Sequence, residues 1–193
     1  MAKIMDLQIV VAPVPFFPPI NINKKWYSYS QVKKYEIHND MTIFHPRFLT
    51  IPKLFMSYYG DLMYHSTIGI VKKIKKLYDF NIIDSHYVYP DGYAAARIGK
   101  KLGVPVTITV RGTDINLFPK FPRVRKKIIY ALNHASAIIS VSQALKEKMI
   151  DMGILDSKIE VVRNGVDTNN FNSIQSMKTV RNELNLPVDR KII

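Results

Sequence analysis

The stretch that decides the fold runs from Asp84 to Asp114 and reads DSHYVYPDGYAAARIGKKLGVPVTITVRGTD. Residues 82–86 and 106–110 are short runs rich in β-branched side chains, which is typical of buried strands. Residues 91–102 between them have helical periodicity, and Asp91 is the expected N-cap. A strand, a helix and a second strand in this order predict a crossover connection between two parallel strands.

The same alternation continues towards the C-terminus. The pattern predicts a helix at 123–135, a strand at 137–141, a helix at 142–152 and a strand at 159–162. Apolar strands separated by helices indicate a parallel sheet that is covered on both faces. The predicted fold class is therefore α/β, with a doubly wound, mostly parallel, Rossmann-like sheet.

The N-terminal third is less regular. Strands are predicted at 7–12 and 41–44, followed by a basic amphipathic helix at 57–78. The face of this helix that is expected to be buried consists of Ile70, Val71, Ile74, Leu77 and Tyr78. Beyond Asp167 the chain is polar, with a short helix predicted at 178–184 and the start of a strand at 190–193.

Composition excludes several classes of chemistry. The 193 residues include no cysteine, which excludes disulfides and thiol nucleophiles and indicates a reducing, cytoplasmic compartment. No segment has signal-peptide character, and no span of about 18 to 20 residues is apolar enough to cross a bilayer. The formal net charge of +13 favours phosphate-bearing ligands, anionic lipid or nucleic acid, although exposed lysines that keep the protein soluble explain it equally well.

Polar side chains follow four successive predicted strands. Ligands bind at this edge of open parallel sheets, because loops and helix N-termini meet there. In chain order these residues are His86, Tyr89, Asp91 and Gly92; Arg111, Gly112, Thr113 and Asp114; Ser140, Ser142 and Gln143; and Arg163, Asn164, Gly165 and Asp167. Arg111 is the clearest candidate, because a guanidinium placed after an apolar strand and before a glycine suits an anion or a sugar hydroxyl.

Structural explanations stay open beside these functional ones. They are helix N-caps for Asp91 and Ser142, relief of crowding at Gly92 and Gly112, a satisfied half-buried histidine at His86, and an ion pair between Arg111 and Asp114. Other chemistries lack their motifs, since the sequence has no G-x-G-x-x-G fingerprint, no P-loop and no G-x-S-x-G elbow. The five histidines show no metal-ligand spacing, so we expect no metal and no cofactor.

Three motifs in order carry a family resemblance. They are the stretch 84–118, ASAIISVSQALKEKM at 135–149 and IEVVRNGVDTNNF at 159–171. Together they resemble the N-terminal domain of family 4 retaining glycosyltransferases of the GT-B fold. In that family two Rossmann-like domains face each other across a cleft, and a sugar passes from a nucleotide-sugar co-substrate to an acceptor. The resemblance implies an acceptor-side domain, with most donor contacts made by the C-terminal domain.

The resemblance also implies roles for individual residues. It places Arg111 where the family's His-Gly-x-Asp turn has the histidine that touches the transferred sugar. Arginine keeps a hydrogen-bond donor there but is not a titratable base near neutral pH. The expected catalytic residues are Arg111, His86 and Asp114, and the expected substrate-binding residues are Tyr89, Asp91, Gly92, Gly112, Ser142 and Asn164.

Two parts of the family pattern have no counterpart in the sequence: the first strand with its Gly-Gly loop, and the C-terminal domain. We therefore expect residues 1–167 to be an N-terminally incomplete acceptor-side domain. Residues 168–193 are expected to be a linker, a short helix and the start of a C-terminal domain.

The predicted function is that of part of a retaining glycosyltransferase that is inactive alone and uses a saccharide or glycolipid acceptor. The alternative is a non-catalytic module, derived from the same fold, that binds sugar or lipid phosphate. Nucleic acid is not an expected partner. The basic residues of the segment 72–76 and of the cluster Arg123, Arg125, Lys126 and Lys127 suggest peripheral contact with the anionic inner face of a membrane.

Overall fold

The structure is a computed structural model that describes residues 9–16, 24–38, 40–51, 54–168 and 176–191. The chain divides into two compact units, Met1–Arg163 and Asn164–Ile193. Asn164 therefore belongs to the second unit rather than to the end of the first. The expected assignment of the two segments to an acceptor-side domain and a following linker stays a prediction.

The first unit alternates strands and helices along most of its length. Its strands are β1 (Ile9–Val11), β2 (Val14–Phe16), β3 (Tyr35–His38), β4 (Met41–Phe44), β5 (Arg47–Leu49), β6 (Ile83–His86), β7 (Val106–Val110), β8 (Ala137–Ser140) and β9 (Ile159–Val161). Its helices are α1 (Lys24–Ser30), α2 (Tyr59–Tyr78), α3 (Tyr93–Leu102), α4 (Thr113–Asn116), α5 (Pro122–His134) and α6 (Gln143–Asp151).

The four strands after α2 form one parallel sheet in the order β6-β7-β8-β9. In the register between β6 and β7, Asp84 lies opposite Thr107 and His86 lies opposite Thr109. The predicted parallel sheet is confirmed, and β7 has the predicted bounds. The fold class is α/β, as the strand and helix pattern indicates.

The N-terminal strands form two smaller sheets. Strand β4 pairs with β1 in parallel and with β3 in antiparallel orientation, and β2 pairs with β5 in parallel. Strand β4 occupies the predicted residues. The predicted strand at 7–12 corresponds to β1, and its first two residues lie outside the described part of the chain.

The main core lies between the four-stranded sheet and helices α3, α5 and α6. Because the four strands follow one another in a single direction, right-handed crossovers bring these three helices to the same face. The most buried side chains of this core include Ile108, Val110, Ile128, Leu132, Ile138 and Met149. Side chains alternate along each strand, so every second residue points to the opposite face of the sheet. Asp84 and His86 lie on that face and are exposed.

Two predicted helix features are wrong. Helix α3 begins at Tyr93 rather than at Asp91, because residues Val88–Gly92 form a wider π-type turn that Gly92 closes by donating its N–H to the carbonyl of Tyr87. The last turn of α2 extends beyond the core, so that Leu77 is 75% exposed and Tyr78 is 46% exposed. Among the described residues, no helix combines the length and apolar character that crossing a membrane requires.

The second unit contains α7 (Met177–Glu183), which begins where the side chain of Ser176 accepts a hydrogen bond from the N–H of Thr179. This agrees with the predicted short helix to within one residue at each end. The predicted strand at 190–193 is not formed at residues 190 and 191, and its last two residues lie outside the described ranges.

Candidate functional site

The carboxyl ends of β6 and β7 bring two of the predicted site residues, His86 and Arg111, together. His86 is the last residue of β6, and Arg111 directly follows β7. Nη2 of Arg111 lies 2.9 Å from Nδ1 of His86. Both side chains are exposed, so they are available to a ligand at this edge of the sheet.

Asp114 fixes the shape of the loop that carries Arg111. Its carboxylate accepts backbone N–H bonds from Val88 at 3.0 Å, from Arg111 at 3.2 Å and from Gly112 at 2.7 Å. The residue is 0% exposed. Asp114 therefore joins the loops that follow β6 and β7, and in this conformation it does not reach solvent.

This arrangement corrects the alternative of an ion pair between Arg111 and Asp114. The carboxylate binds the backbone N–H of Arg111, whereas the guanidinium turns to His86. Among the described residues, no carboxylate forms a salt bridge with this guanidinium. Within the described part of the chain the guanidinium therefore has no ion-pair partner.

Gly112 allows the sharp turn between β7 and α4. Its φ is +136° and its ψ is −70°, a backbone conformation that residues other than glycine rarely adopt. A Cβ at this position would meet only the Asn116 amide, at 3.9 Å. The backbone conformation, rather than crowding, is therefore what requires glycine here.

Tyr89 and Gly92 pack inside the protein and do not line the edge. Tyr89 is 0% exposed, and its hydroxyl donates to the carbonyl of Met56 at 2.6 Å and accepts from the N–H of Gly60 at 3.2 Å. Burial raises the pKa of Tyr89 to about 12. Gly92 is also buried, and a Cβ there would lie 3.1 Å from Ile108 Cδ1 and from the carbonyl of Tyr87. Crowding is thus the structural reason for glycine at 92.

Asp91 lies within the π-type turn, partly buried. Its burial raises the pKa of the carboxyl from 3.8 to about 6, although a hydrogen bond with its own backbone N–H acts in the opposite direction. The side chain makes no cap bond to α3, so its predicted role as N-cap is wrong. Asp91 lies in the turn that follows β6, the strand that ends at His86.

Ser142 is the N-cap of α6, as one of the two explanations predicts. Its hydroxyl accepts from the N–H of Leu145 at 3.3 Å, and its carbonyl accepts from the hydroxyl of the buried Ser140 at 2.7 Å. A substrate-binding role for Ser142 stays a prediction. Asn164 belongs to the second unit, and the described geometry gives it no position relative to the site.

The sequence profile described as Glycosyltransferase Family 4 matches residues 10–170. That match covers most of the chain, including β6, β7 and the loops that hold Arg111.

The chain belongs to glycosyltransferase family 4.

Two curated relatives agree with this family. The chain is 26% identical over 187 residues to a glycosyltransferase named for teichuronic acid biosynthesis, TuaC of Bacillus subtilis (strain 168), covering 95% of this chain and 47% of TuaC. It is 30% identical over 98 residues to the uncharacterized glycosyltransferase MJ1178 of Methanocaldococcus jannaschii, covering 51% of this chain and 27% of that protein. The chain thus spans about half the length, or less, of the curated relatives it matches.

Solved structures show the same fold. Alr3699/HepE of Anabaena in complex with UDP-glucose is similar with a TM-score of 0.51 and 20% identity, covering 73% of this chain and 36% of HepE. The HepE complex with UDP gives a TM-score of 0.50 at 18% identity, with the same coverage. The Rossmann-like α/β architecture of this family 4 chain is therefore that of GT-B proteins.

Sequence reasoning missed a charged cluster that joins α2, α3 and α5. The carboxylate of Asp61 pairs with Arg97 at 2.7 Å, pairs with Lys127 and accepts from the hydroxyl of Tyr93 at 3.1 Å. Desolvation acts to raise the pKa of Asp61, but the hydrogen bond and charge of Lys127, with Tyr93 and Arg97, outweigh it and lower the pKa. The available signal was the single acidic residue in the first turn of a lysine-rich helix.

Sequence reasoning also missed Asp84 as a member of the site. Asp84 and His86 are two residues apart on β6, so their side chains lie on the same face of the strand. Oδ2 of Asp84 is 3.3 Å from Nε2 of His86. The i, i+2 spacing on a strand was the signal that could have found it. Across the described residues, no group of three His, Asp or Glu side chains is arranged to hold a metal ion.

Proposed function

We propose that the first unit is the acceptor-side part of a retaining glycosyltransferase that moves a sugar from a nucleotide-sugar donor to a saccharide or glycolipid acceptor. One observation carries the proposal. The exposed Arg111 guanidinium lies at the carboxyl edge of a parallel sheet, and its loop is fixed by the buried Asp114. Open α/β sheets bind ligands at this edge.

Arg111 is suited to the charge that develops during sugar transfer. As the bond between the sugar and the diphosphate breaks, negative charge grows on the leaving phosphate oxygen. A fixed guanidinium stabilises that charge because it is already oriented and needs no rearrangement. The proton of the acceptor hydroxyl passes to the leaving phosphate, so the site needs no side chain that acts as a base. Replacing the family's histidine by Arg111 is compatible with this chemistry.

The donor and the second domain are parts of the same proposal. UDP-glucose is the first donor to test, since HepE has been crystallised with it. We propose that most donor contacts come from a second domain and that this chain alone transfers no sugar. The half of TuaC that lies outside the match is a source of such a domain.

The acceptor is proposed to be a saccharide or a glycolipid presented at an anionic membrane. TuaC is named for the biosynthesis of teichuronic acid. Two exposed basic segments support peripheral contact: Lys72, Lys73 and Lys76 on α2, and Arg123, Arg125 and Lys126 on α5. Exposed Phe121 begins the second segment and adds an apolar side chain beside the charges.

Hydrolysis of UDP-glucose tests the proposal without knowledge of the acceptor, because water replaces it. The chain alone and a fusion of the chain to the uncovered part of TuaC are compared by release of free UDP. We expect UDP release from the fusion and none from the chain. Release by the chain alone contradicts the need for a second domain. A folded fusion that binds UDP-glucose but never releases UDP favours the non-catalytic binding module instead.

A further inference from the structure

Asp84, His86 and Arg111 form a continuous chain of polar contacts on the exposed face of the sheet. Oδ1 of Asp84 accepts from the Thr107 hydroxyl at 2.7 Å, and Oδ2 lies 3.3 Å from Nε2 of His86. On the other side of the imidazole, Nδ1 lies 2.9 Å from Nη2 of Arg111. Both ring nitrogens of His86 therefore have a partner, and the two partners have opposite charge.

These contacts determine where the proton of His86 is. A guanidinium only donates hydrogen bonds, so Nδ1 of His86 must accept and carries no proton. The ring proton is then on Nε2, which lies 3.3 Å from the Asp84 carboxylate oxygen Oδ2 and faces its negative charge. A ring protonated on both nitrogens, or on Nδ1 alone, would place an N–H against the Arg111 donor.

Thr107 keeps Asp84 in place for this role. It lies opposite Asp84 in the register between β6 and β7, and its hydroxyl binds the carboxylate oxygen that His86 does not use. The two paired strands therefore hold the carboxylate that faces Nε2 of His86. The orientation of the Arg111 guanidinium therefore depends on the strands of the sheet as well as on its own loop.

We propose that Asp84 is a positioning residue: it holds His86 in the Nε2–H tautomer, so that Nδ1 accepts from Arg111 and aims the guanidinium at the diphosphate of the donor. The inference rests on the proposed function for the identity of the anion. It extends that function by assigning a role to Asp84, which makes no direct contact with Arg111. The remaining N–H groups of the guanidinium then point to one fixed place, which is what recognition of a diphosphate requires.

The tautomer is measured first, by the ¹⁵N chemical shifts of the His86 ring in the labelled chain at about pH 8, above the ordinary pKa of histidine. We expect the Nδ1 shift of an unprotonated nitrogen and the Nε2 shift of a protonated one. A ring protonated on Nδ1, or an equal mixture of tautomers, overturns the proposal.

The second measurement is the affinity of the same chain for inorganic pyrophosphate in Asp84→Ala, Asp84→Asn and Asp151→Ala. Removing any carboxylate from a basic protein strengthens anion binding by simple electrostatics. If Asp84 positions Arg111, Asp84→Ala instead weakens binding, by about 2- to 10-fold, because the polar contact that orients His86 is lost. Asp84→Asn retains an oxygen that accepts from Nε2–H and is expected to stay within about twofold of the unmodified chain.

The control is Asp151→Ala, because Asp151 is exposed at the far end of α6 and carries the same charge. It is expected to leave pyrophosphate binding unchanged or slightly stronger. Binding by Asp84→Ala as strong as that of the unmodified chain, or no binding by the unmodified chain at millimolar pyrophosphate, overturns the proposal. Neither measurement depends on sugar transfer, so a failure here is distinct from failure of the UDP-glucose assay.

Discussion

Nη2 of Arg111 lies 2.9 Å from Nδ1 of His86. His86, the last residue of β6, therefore orients Arg111, the first residue after the neighbouring strand β7. The loop between these contacts is fixed independently, because the Asp114 carboxylate binds the backbone of Arg111 and Gly112. A cation is thereby held at the carboxyl edge of the sheet by two separate sets of bonds.

Asp114→Ala is expected to destabilise the chain strongly. It leaves the backbone N–H groups of Val88, Arg111 and Gly112 without their acceptor, at a position that excludes water. Unsatisfied buried donors cost roughly 1 to 3 kcal/mol each, and partial relaxation lowers the sum, so we expect a loss of about 3 kcal/mol.

Urea unfolding measures this loss, and the exposed aspartate variant Asp151→Ala is its control, with an expected change below about 0.5 kcal/mol. Equal unfolding midpoints for the two variants would contradict the structural role of Asp114.

Asp91→Asn is expected to stabilise the chain at high pH only. Burial raises the pKa of Asp91 from 3.8 to about 6, so the folded state binds the proton more tightly than the unfolded state. The stability contributed by the protonated carboxyl is complete below about pH 4 and is lost as the pH rises through about 6. At about pH 8 the amide variant should be more stable by roughly 1 to 3 kcal/mol, and at pH 4 the difference should vanish. Thermal unfolding of both proteins across this pH range measures it, and a constant difference would be inconsistent with the raised pKa.

Asp61→Asn is expected to show the opposite dependence. The pKa of Asp61 is lowered despite desolvation, through Lys127, Tyr93 and Arg97. Its contribution to stability is present above the pKa of the unfolded chain and is lost as the pH falls through the folded-state value. The variant should therefore be less stable near pH 7, by about 1 kcal/mol given the partial exposure of the cluster, and should match the unmodified chain in acid. A difference that persists in acid would contradict the ion-pair explanation.

Gly99→Ala and Gly69→Ala are expected to change stability in opposite directions. A Cβ at Gly99 would clash with Val106 Cγ2 and would lie 2.7 Å from the carbonyl of Val104, because α3 packs closely on β7 there. We expect a loss of about 1 to 3 kcal/mol from this overpacking. Gly69 lies inside α2 with no atom near such a Cβ, so alanine should stabilise by about 0.5 to 1 kcal/mol. Melting temperatures compare the two. No loss at Gly99 would contradict the close packing of α3 on β7, and a loss at Gly69 would contradict the open space beside α2.

Local patterns predicted most of the parallel sheet but not what the strand ends contact. Strand β7 was predicted within its observed bounds because its β-branched run lies between Pro105 and the Arg111-Gly112 turn. The start of α3 was missed because the π-type turn depends on the packing of Tyr89 against Met56 and Gly60, which are far away in sequence. Local patterns carry no information on such partners.

The site shows the same limit. The composition of the strand ends identified Arg111 and His86, and the structure brings them into contact. The direction of each side chain was not predictable, because Asp114 turns to the backbone and the guanidinium turns to a histidine from another strand. Asp61 was missed since its partners Arg97 and Lys127 lie on other helices. Asp84 was missed although its partner His86 lies two residues away on the same strand.

The central claim is that Arg111 acts on the donor in a glycosyltransferase. Its most direct test is kcat/KM for UDP-glucose hydrolysis by the fusion with the uncovered part of TuaC, compared for Arg111→Ala and Lys101→Ala. Both changes remove one positive charge, but Lys101 is exposed near the end of α3, at the opposite edge of the sheet. We predict that Arg111→Ala lowers kcat/KM by about 10²- to 10³-fold and that Lys101→Ala leaves it unchanged. A value for folded Arg111→Ala equal to that of Lys101→Ala would contradict the claim.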